Sequence, residues 1–201
     1  LTNPLLEGEY SVTVSGLGAE SVSASVKVDD EKVTKVELNG DVAGMFLVPD
    51  TNDPTKEVVG GAKIGYKVYN QYGEDVTNKA IAGDVNWNAS LTQSLDASNG
   101  ILTLESEDFR RDQKVSVSAV VTNSNYVETF LITIGDVARV SKIENIELYH
   151  PEGKKLYTNS NFGQFQLLFE AYDQYGTKVD AAKFNTDVVV TTVSSYVNVD
   201  A

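Results

Sequence analysis

Apolar and polar residues alternate with a period of two along most of the chain. Tyr10, Val12 and Val14 alternate with small polar residues, and Val22, Ala24, Val26 and Val28 do the same. So do Val115, Val117 and Ala119, and then Phe130, Ile132 and Ile134. Successive side chains of an extended backbone point to opposite faces, so each run predicts a strand with one face on a core and the other in water. Clusters of Gly, Asn, Asp and Ser bound the runs and predict turns. Nothing repeats at helical spacing beyond about two turns, and only residues 80–82 and 180–184 suit a short turn of helix. Many short strands separated by turn signals predict an all-β sandwich or barrel.

An internal repeat divides this pattern. Lys63-Ile-Gly-Tyr-Lys-Val-Tyr-Asn-Gln-Tyr-Gly73 matches Gln166-Leu-Leu-Phe-Glu-Ala-Tyr-Asp-Gln-Tyr-Gly176, with Tyr69 and Tyr172 offset by 103 residues. The apolar alternates align as Ile64 with Leu167, Tyr66 with Phe169 and Val68 with Ala171, whereas the outward Lys63 and Lys67 align with Gln166 and Glu170. One face keeps its apolar character while the other varies, as expected of a strand covering a core. Lys32-Val-Thr-Lys-Val-Glu37 matches Arg139-Val-Ser-Lys-Ile-Glu144 at an offset of 107, and Leu95-Asp-Ala97 lies near Val199-Asp-Ala201 at 104.

Three landmarks in the same order define a repeating unit close to the ~100 residues of an immunoglobulin-like sandwich. Residues 1–31 are then expected to be the last strands of one module, 32–137 a complete module and 138–201 the first part of another. Partial sandwiches carry bare strand edges and apolar faces. One way to cover them is donation of residues 1–31 to the half-module 138–201 of a neighbouring molecule, which requires strand pairing between the two segments.

Composition narrows the class of function. Hydrophobic residues make up 41% of the 201 and charged residues 22%, the balance of a globular chain. The formal net charge of −13 repels phosphate backbones, so no nucleic-acid partner is expected. The same surface suits a protein that stays soluble at high concentration and recruits cations. The absence of cysteine removes thiol catalysis and Cys-ligated metal. No apolar run approaches the ~20 residues needed to cross a membrane as a helix, so no insertion is expected. The chain opens at Leu1 inside a strand-like pattern, without a signal peptide. It therefore reads as a fragment of a longer secreted protein.

The repeated Tyr-Asx-Gln-Tyr-Gly element is similar to one that recurs in bacterial immunoglobulin-like domains. Glu7-Gly-Glu-Tyr-Ser-Val-Thr-Val-Ser-Gly-Leu17 resembles the strand that ends such modules, and residues 24–36 resemble the exit from one module into the next. Acidic, free of cysteine and with Lys as its main cation, the whole run resembles the self-assembly region of bacterial surface-layer (S-layer) proteins. That resemblance implies an extracellular structural protein of the cell wall and cell surface, forming a two-dimensional coat by contacts with copies of itself. It also implies anchoring to cell-wall polymer through domains outside this stretch, and calcium at module junctions in several members. The alternative is an adhesin stalk or a carbohydrate-binding accessory module of a secreted protein.

Catalysis is not expected from the residues. His150, the single histidine, precedes Pro151 at the end of a strand-like run and reads as a surface turn residue. No Gly-x-Ser-x-Gly elbow accompanies it. The acidic clusters Asp29-Asp30-Glu31 and Glu105, Glu107 and Asp108 read as solvated turns. Calcium is the one ligand to weigh: it takes six to eight oxygens, Asp50, Asn52 and Asp53 place three oxygen-bearing side chains within four residues, and Asp29-Asp30-Glu31 lies at the module junction, both against a plainer Asx-turn reading. Tyr66, Tyr69, Tyr72, Trp87, Tyr172 and Tyr175 suggest a sugar-stacking row, but their repetition favours packing over the core and turns. Gly73 and Gly176 are expected to supply positive φ there.

Overall fold

The computed structural model describes residues 6–16, 18, 20–155 and 165–179, and the protein is all-β. Twelve strands form among these residues: β1 (Gly8–Val14), β2 (Val22–Val28), β3 (Val33–Leu38), β4 (Val42–Pro49), β5 (Glu57–Asn70), β6 (Val85–Ala89), β7 (Ser94–Ser98), β8 (Ile101–Glu105), β9 (Lys114–Val121), β10 (Tyr126–Val137), β11 (Val140–Tyr149) and β12 (Gln166–Asp173). Each alternating run read from the sequence lies inside one of them. The helical turn expected at residues 80–82 is a 3-10 turn at Ala80–Asp84; residues 180–184 lie outside the described residues.

The strands fall into three sheets. β1 and β2 form an antiparallel pair, β3 to β10 an eight-stranded sheet, and β11 and β12 a second antiparallel pair. The large sheet runs β6-β9-β10-β4-β5-β8-β7, with β3 added beside the C-terminal half of β5. β4 is the bridge, parallel to β10 on one side and antiparallel to β5 on the other. At this bridge the sheet folds over, so that β3-β5-β8-β7 faces β6-β9-β10. Tyr66 of β5 meets Trp87 of β6 with ring centroids 5.1 Å apart, and the Tyr126 hydroxyl of β10 accepts from the Val36 N–H of β3 at 3.1 Å.

Between the two layers lies one buried cluster. Val33, Val36, Ile64, Val68, Leu102 and Leu104 come from one layer, and Val115, Val117, Val121, Ile132 and Ile134 from the other, with Phe109 in the connection between β8 and β9. Removing a side chain of this size from water stabilises the fold by ~1.5–3 kcal/mol. The inward set expected of β5, namely Ile64, Tyr66 and Val68, is buried as a block.

The two flanking pairs are amphipathic but bare. In β1 and β2, Tyr10 faces Val26, Val12 faces Ala24, and Val14 faces Val22, while Ser11, Thr13, Ser23 and Ser25 occupy the opposite face. Val12, Val14, Val22 and Val26 are nonetheless exposed. In the β11–β12 pair Ala171 is buried, but Leu167, expected to point inward like Ile64, is exposed. The pattern sets which face is apolar; burial needs an opposing layer, and the described residues provide none there. Among them β1 pairs with β2 and β11 with β12, and no strand pairing links the two segments within the chain.

Candidate functional site at the connectors

The Tyr-Asx-Gln-Tyr-Gly repeat ends β5 and β12, and it folds twice into the same turn. Asn70 N–H donates to Glu74 O and Asp173 N–H to Thr177 O; Gly73 N–H donates to Asn70 O and Gly176 N–H to Asp173 O; Val76 N–H donates to Val68 O and Val179 N–H to Ala171 O. The Asx side chain holds each turn from inside. Asn70 Oδ1 accepts from the N–H groups of Tyr72 and Glu74 at 3.0 Å each, and Asp173 Oδ1 accepts from those of Tyr175 and Thr177 at 2.8 and 2.9 Å. Both side chains are buried, where a polar group needs its partners. Gly73 and Gly176 take φ of +75° and +78°, a left-handed conformation that favours glycine.

The glutamine of each turn reaches the connector entering its own strand pair. Gln71 Oε1 accepts from Lys32 N–H at 2.7 Å, and its Nε2 donates to Asp30 O at 2.8 Å. Gln174 Oε1 accepts from Arg139 N–H at 2.8 Å, and its Nε2 donates to Val137 O at 3.0 Å. A primary amide carries the same donor and acceptor as a peptide group. Each glutamine thus pairs with a carbonyl at one position and an N–H two residues later, as a neighbouring strand would. The two connectors are bound in the same way at residues 30–32 and 137–139.

Further contacts differ between the connectors. At the first, Glu31 Oε1 accepts from Asn70 Nδ2 at 2.8 Å and from Lys79 Nζ at 3.2 Å. The Asn70 bond first, and then Lys79, lowers the Glu31 carboxyl below its ordinary range. At the second, Tyr175 lies in a notch between β4 and β10. Its hydroxyl accepts from Asp136 N–H at 2.7 Å, and Asn39 Nδ2 donates to Gly176 O at 2.6 Å. The notch exists because two residues lack Cβ atoms. A Cβ on Gly135 would lie 2.5 Å from the Tyr175 Cζ and hydroxyl, and one on Gly44 would lie 3.0 Å from its Cδ2.

No family model, no curated protein and no solved structure matches the chain.

The calcium candidates make a loop. Asp50 Oδ1 accepts from Asn52 N–H at 2.7 Å, and Asp53 Oδ1 accepts from the Thr55 hydroxyl at 2.6 Å and the Thr55 N–H at 3.2 Å. Asp53 Oδ2 pairs with Lys56 at 2.9 Å. Thr55 first, and then Lys56, lowers the Asp53 carboxyl. These are Asx-turn bonds on the exposed connection between β4 and β5. Among the described residues no three His, Cys, Asp or Glu side chains cluster closely enough to hold a metal ion.

His150 departs from its expected surface position. It is buried, its Nδ1 accepts from Glu152 N–H at 3.0 Å, and its ring meets Phe165 edge-on at 4.7 Å. The turn into Pro151 folds back over the imidazole, which caps the turn rather than standing clear of it. The tyrosines do not form a row: Tyr66 packs with Trp87, Tyr69 lies under Lys35 Nζ at 5.5 Å, Tyr172 donates to Glu170 at 3.1 Å, and Tyr175 fills the notch.

Gln71, Gln174, Asn39, Gly44 and Gly135 were not singled out by the sequence pattern. The repeat marked Gln71 and Gln174 as equivalent, and that equivalence was the available signal. Gly44 and Gly135 sit in strands without a motif, and their role depends on a turn about 40 residues or more away in sequence.

Proposed function

We propose that this chain is part of a structural, self-assembling protein of the bacterial cell surface, of the S-layer kind. In this reading it is built of tandem immunoglobulin-like modules and has no catalytic task. The observation that carries the proposal is the duplicated connector clip: Gln71 on residues 30–32 and Gln174 on residues 137–139. A flexible tether would leave such backbone groups to water. A chain that binds them in the same way twice sets one unit against the next, as an ordered coat or a rigid stalk requires.

The module type is supported by the strand order. β3-β5-β8-β7 opposite β6-β9-β10 corresponds to the four-plus-three arrangement of an immunoglobulin sandwich, and β4 provides the bridge between the layers. The length of the 33–137 unit fits as well. On this reading β1–β2 and β11–β12 belong to flanking modules, and copies of the protein itself are the partners. Cell-wall polymer is reached through other domains, and calcium, if used, acts at assembly rather than inside this unit.

Electron microscopy of the full-length protein with and without calcium tests the proposal. Ordered sheets are the expected result, and dispersed monomers in both conditions contradict it. A binding module is the second reading, favoured by a depression of about 350 Å³ lined by Tyr66, Trp87, Asn78, Asn99 and Lys79. Dispersed monomers whose single tryptophan is quenched by added sugars would move the assignment there.

A further inference from the structure

We infer that the strand edge carrying Gly44 and Gly135 is a receptor notch for the motif tyrosine, and that seating Tyr175 there locks the orientation of the β11–β12 sheet on the 33–137 body. The lock is independent of what the assembled protein does, since it would serve a coat, a stalk or a binding array alike.

Three features of the structure converge on it. Glycine within a strand weakens it and often marks close approach of another group. Here two glycines stand on neighbouring strands: β4 and β10 run parallel, with Ile134 beside Ala43, so Gly44 and Gly135 follow directly. Both vacancies are filled by one ring, with no room for a methyl group at Gly135, where Val42 Cγ1 would also lie 2.8 Å away.

The second observation is a backbone donor. The parallel ladder of β4 and β10 breaks register between Ile134 and Val137. Inside that break the Asp136 N–H donates to the Tyr175 hydroxyl at 2.7 Å. The notch therefore offers both a shape for the ring and a hydrogen bond for its tip. Phenylalanine would satisfy only the first.

The third is the arrangement of bonds about the seat. Gln174 holds the connector on one side of Tyr175, and the Asn39 amide holds Gly176 O on the other. Three consecutive residues of one turn thus bind three different strands or connectors of the body. Rotation of the β11–β12 pair about residues 137–139 would break the bonds at Tyr175 and Gly176 together.

Tyr72 supplies an internal comparison. It occupies the same motif position and turn, yet it is 63% exposed. Gln71 clips its connector while Tyr72 stays exposed among the described residues.

The absence of cysteine allows two to be introduced uniquely. Thr129→Cys on β10 and Glu147→Cys on β11, both exposed, would carry spin labels for pulsed electron–electron distance measurement. The parent and Tyr72→Ala should each give one narrow distance peak. Tyr175→Ala and Gly135→Val should give distributions roughly twofold broader or wider, as expected of units no longer fixed by their interface. Tyr175→Phe should fall between. Because Gly135 lies inside β10, thermal melting of the body would be followed in parallel. If Gly135→Val unfolds it, Tyr175→Ala, outside the body, decides alone. Parent-like width in Tyr175→Ala, or equal broadening in Tyr72→Ala, would overturn the lock.

Discussion

Asn70 and Asp173 hold the same place in the same turn, and their difference is explained by their neighbours. Asn70 presents its Nδ2 to two carboxylates, Glu31 and Glu74, at 2.8 Å each. The residues in matching positions around Asp173 are Ala138 and Thr177, neither of them acidic. An amide is needed where acids converge, and a carboxylate serves where they do not. Asn70→Asp should keep both turn bonds at Oδ1 while placing a third carboxylate against Glu31 and Glu74. A loss of about 1–3 kcal/mol is expected at neutral pH, from a buried group left without its partners. Chemical denaturation should show the loss shrinking as pH falls into the carboxylate range; a pH-independent loss would contradict this account. At this scale the sequence was informative where the rule is local. Positive φ at Gly73 and Gly176 and the inward set on β5 were readable, because turn chemistry and period-two alternation need only neighbours. The partners of Gln71, Tyr175 and the paired glycines were not readable, because they depend on which distant strand lies alongside.

Among the elements, the β11–β12 pair carries a charged cluster on its polar face. Across it Glu170 gathers Lys178 Nζ at 2.6 Å, the Tyr172 hydroxyl at 3.1 Å and the Asn145 amide. Lys178 above all, then Asn145 and Tyr172, hold the Glu170 carboxyl down at about 2, from an ordinary 4.5. A carboxyl depressed in the folded state contributes stability that is complete above its unfolded pKa and is lost as pH falls through the folded one. The contribution should therefore fade between about pH 4.5 and 2. Amide exchange in β11 and β12 should quicken over that window, and Glu170→Gln should remove the acid-dependent change while raising exchange at neutral pH. Acid-insensitive exchange in the parent would refute the assignment. All of β1, β2, β9 and β10 could be placed from alternation. Alternation alone does not tell that the apolar faces of β1–β2 and β11–β12 lack an opposing layer among the described residues; the repeat, which makes each pair part of a partial module, is the signal that anticipated it.

For the molecule as a whole, the repeat offset was the most informative sequence feature. It anticipated strand groups beginning near residues 32 and 138, and the described sheets change at these points: β3 starts at Val33 and β11 at Val140. It did not reveal how the groups are joined. That depends on an amide imitating a strand partner at two connectors, and on a tyrosine seated between glycines at one of them. If the connectors are held structures, the units do not swing freely. Residual dipolar couplings of the backbone amides of residues 33–137 and 140–173, in one aligned sample, test it most directly. A single alignment tensor fitting both sets is the predicted result, whereas two tensors of different magnitude would contradict it.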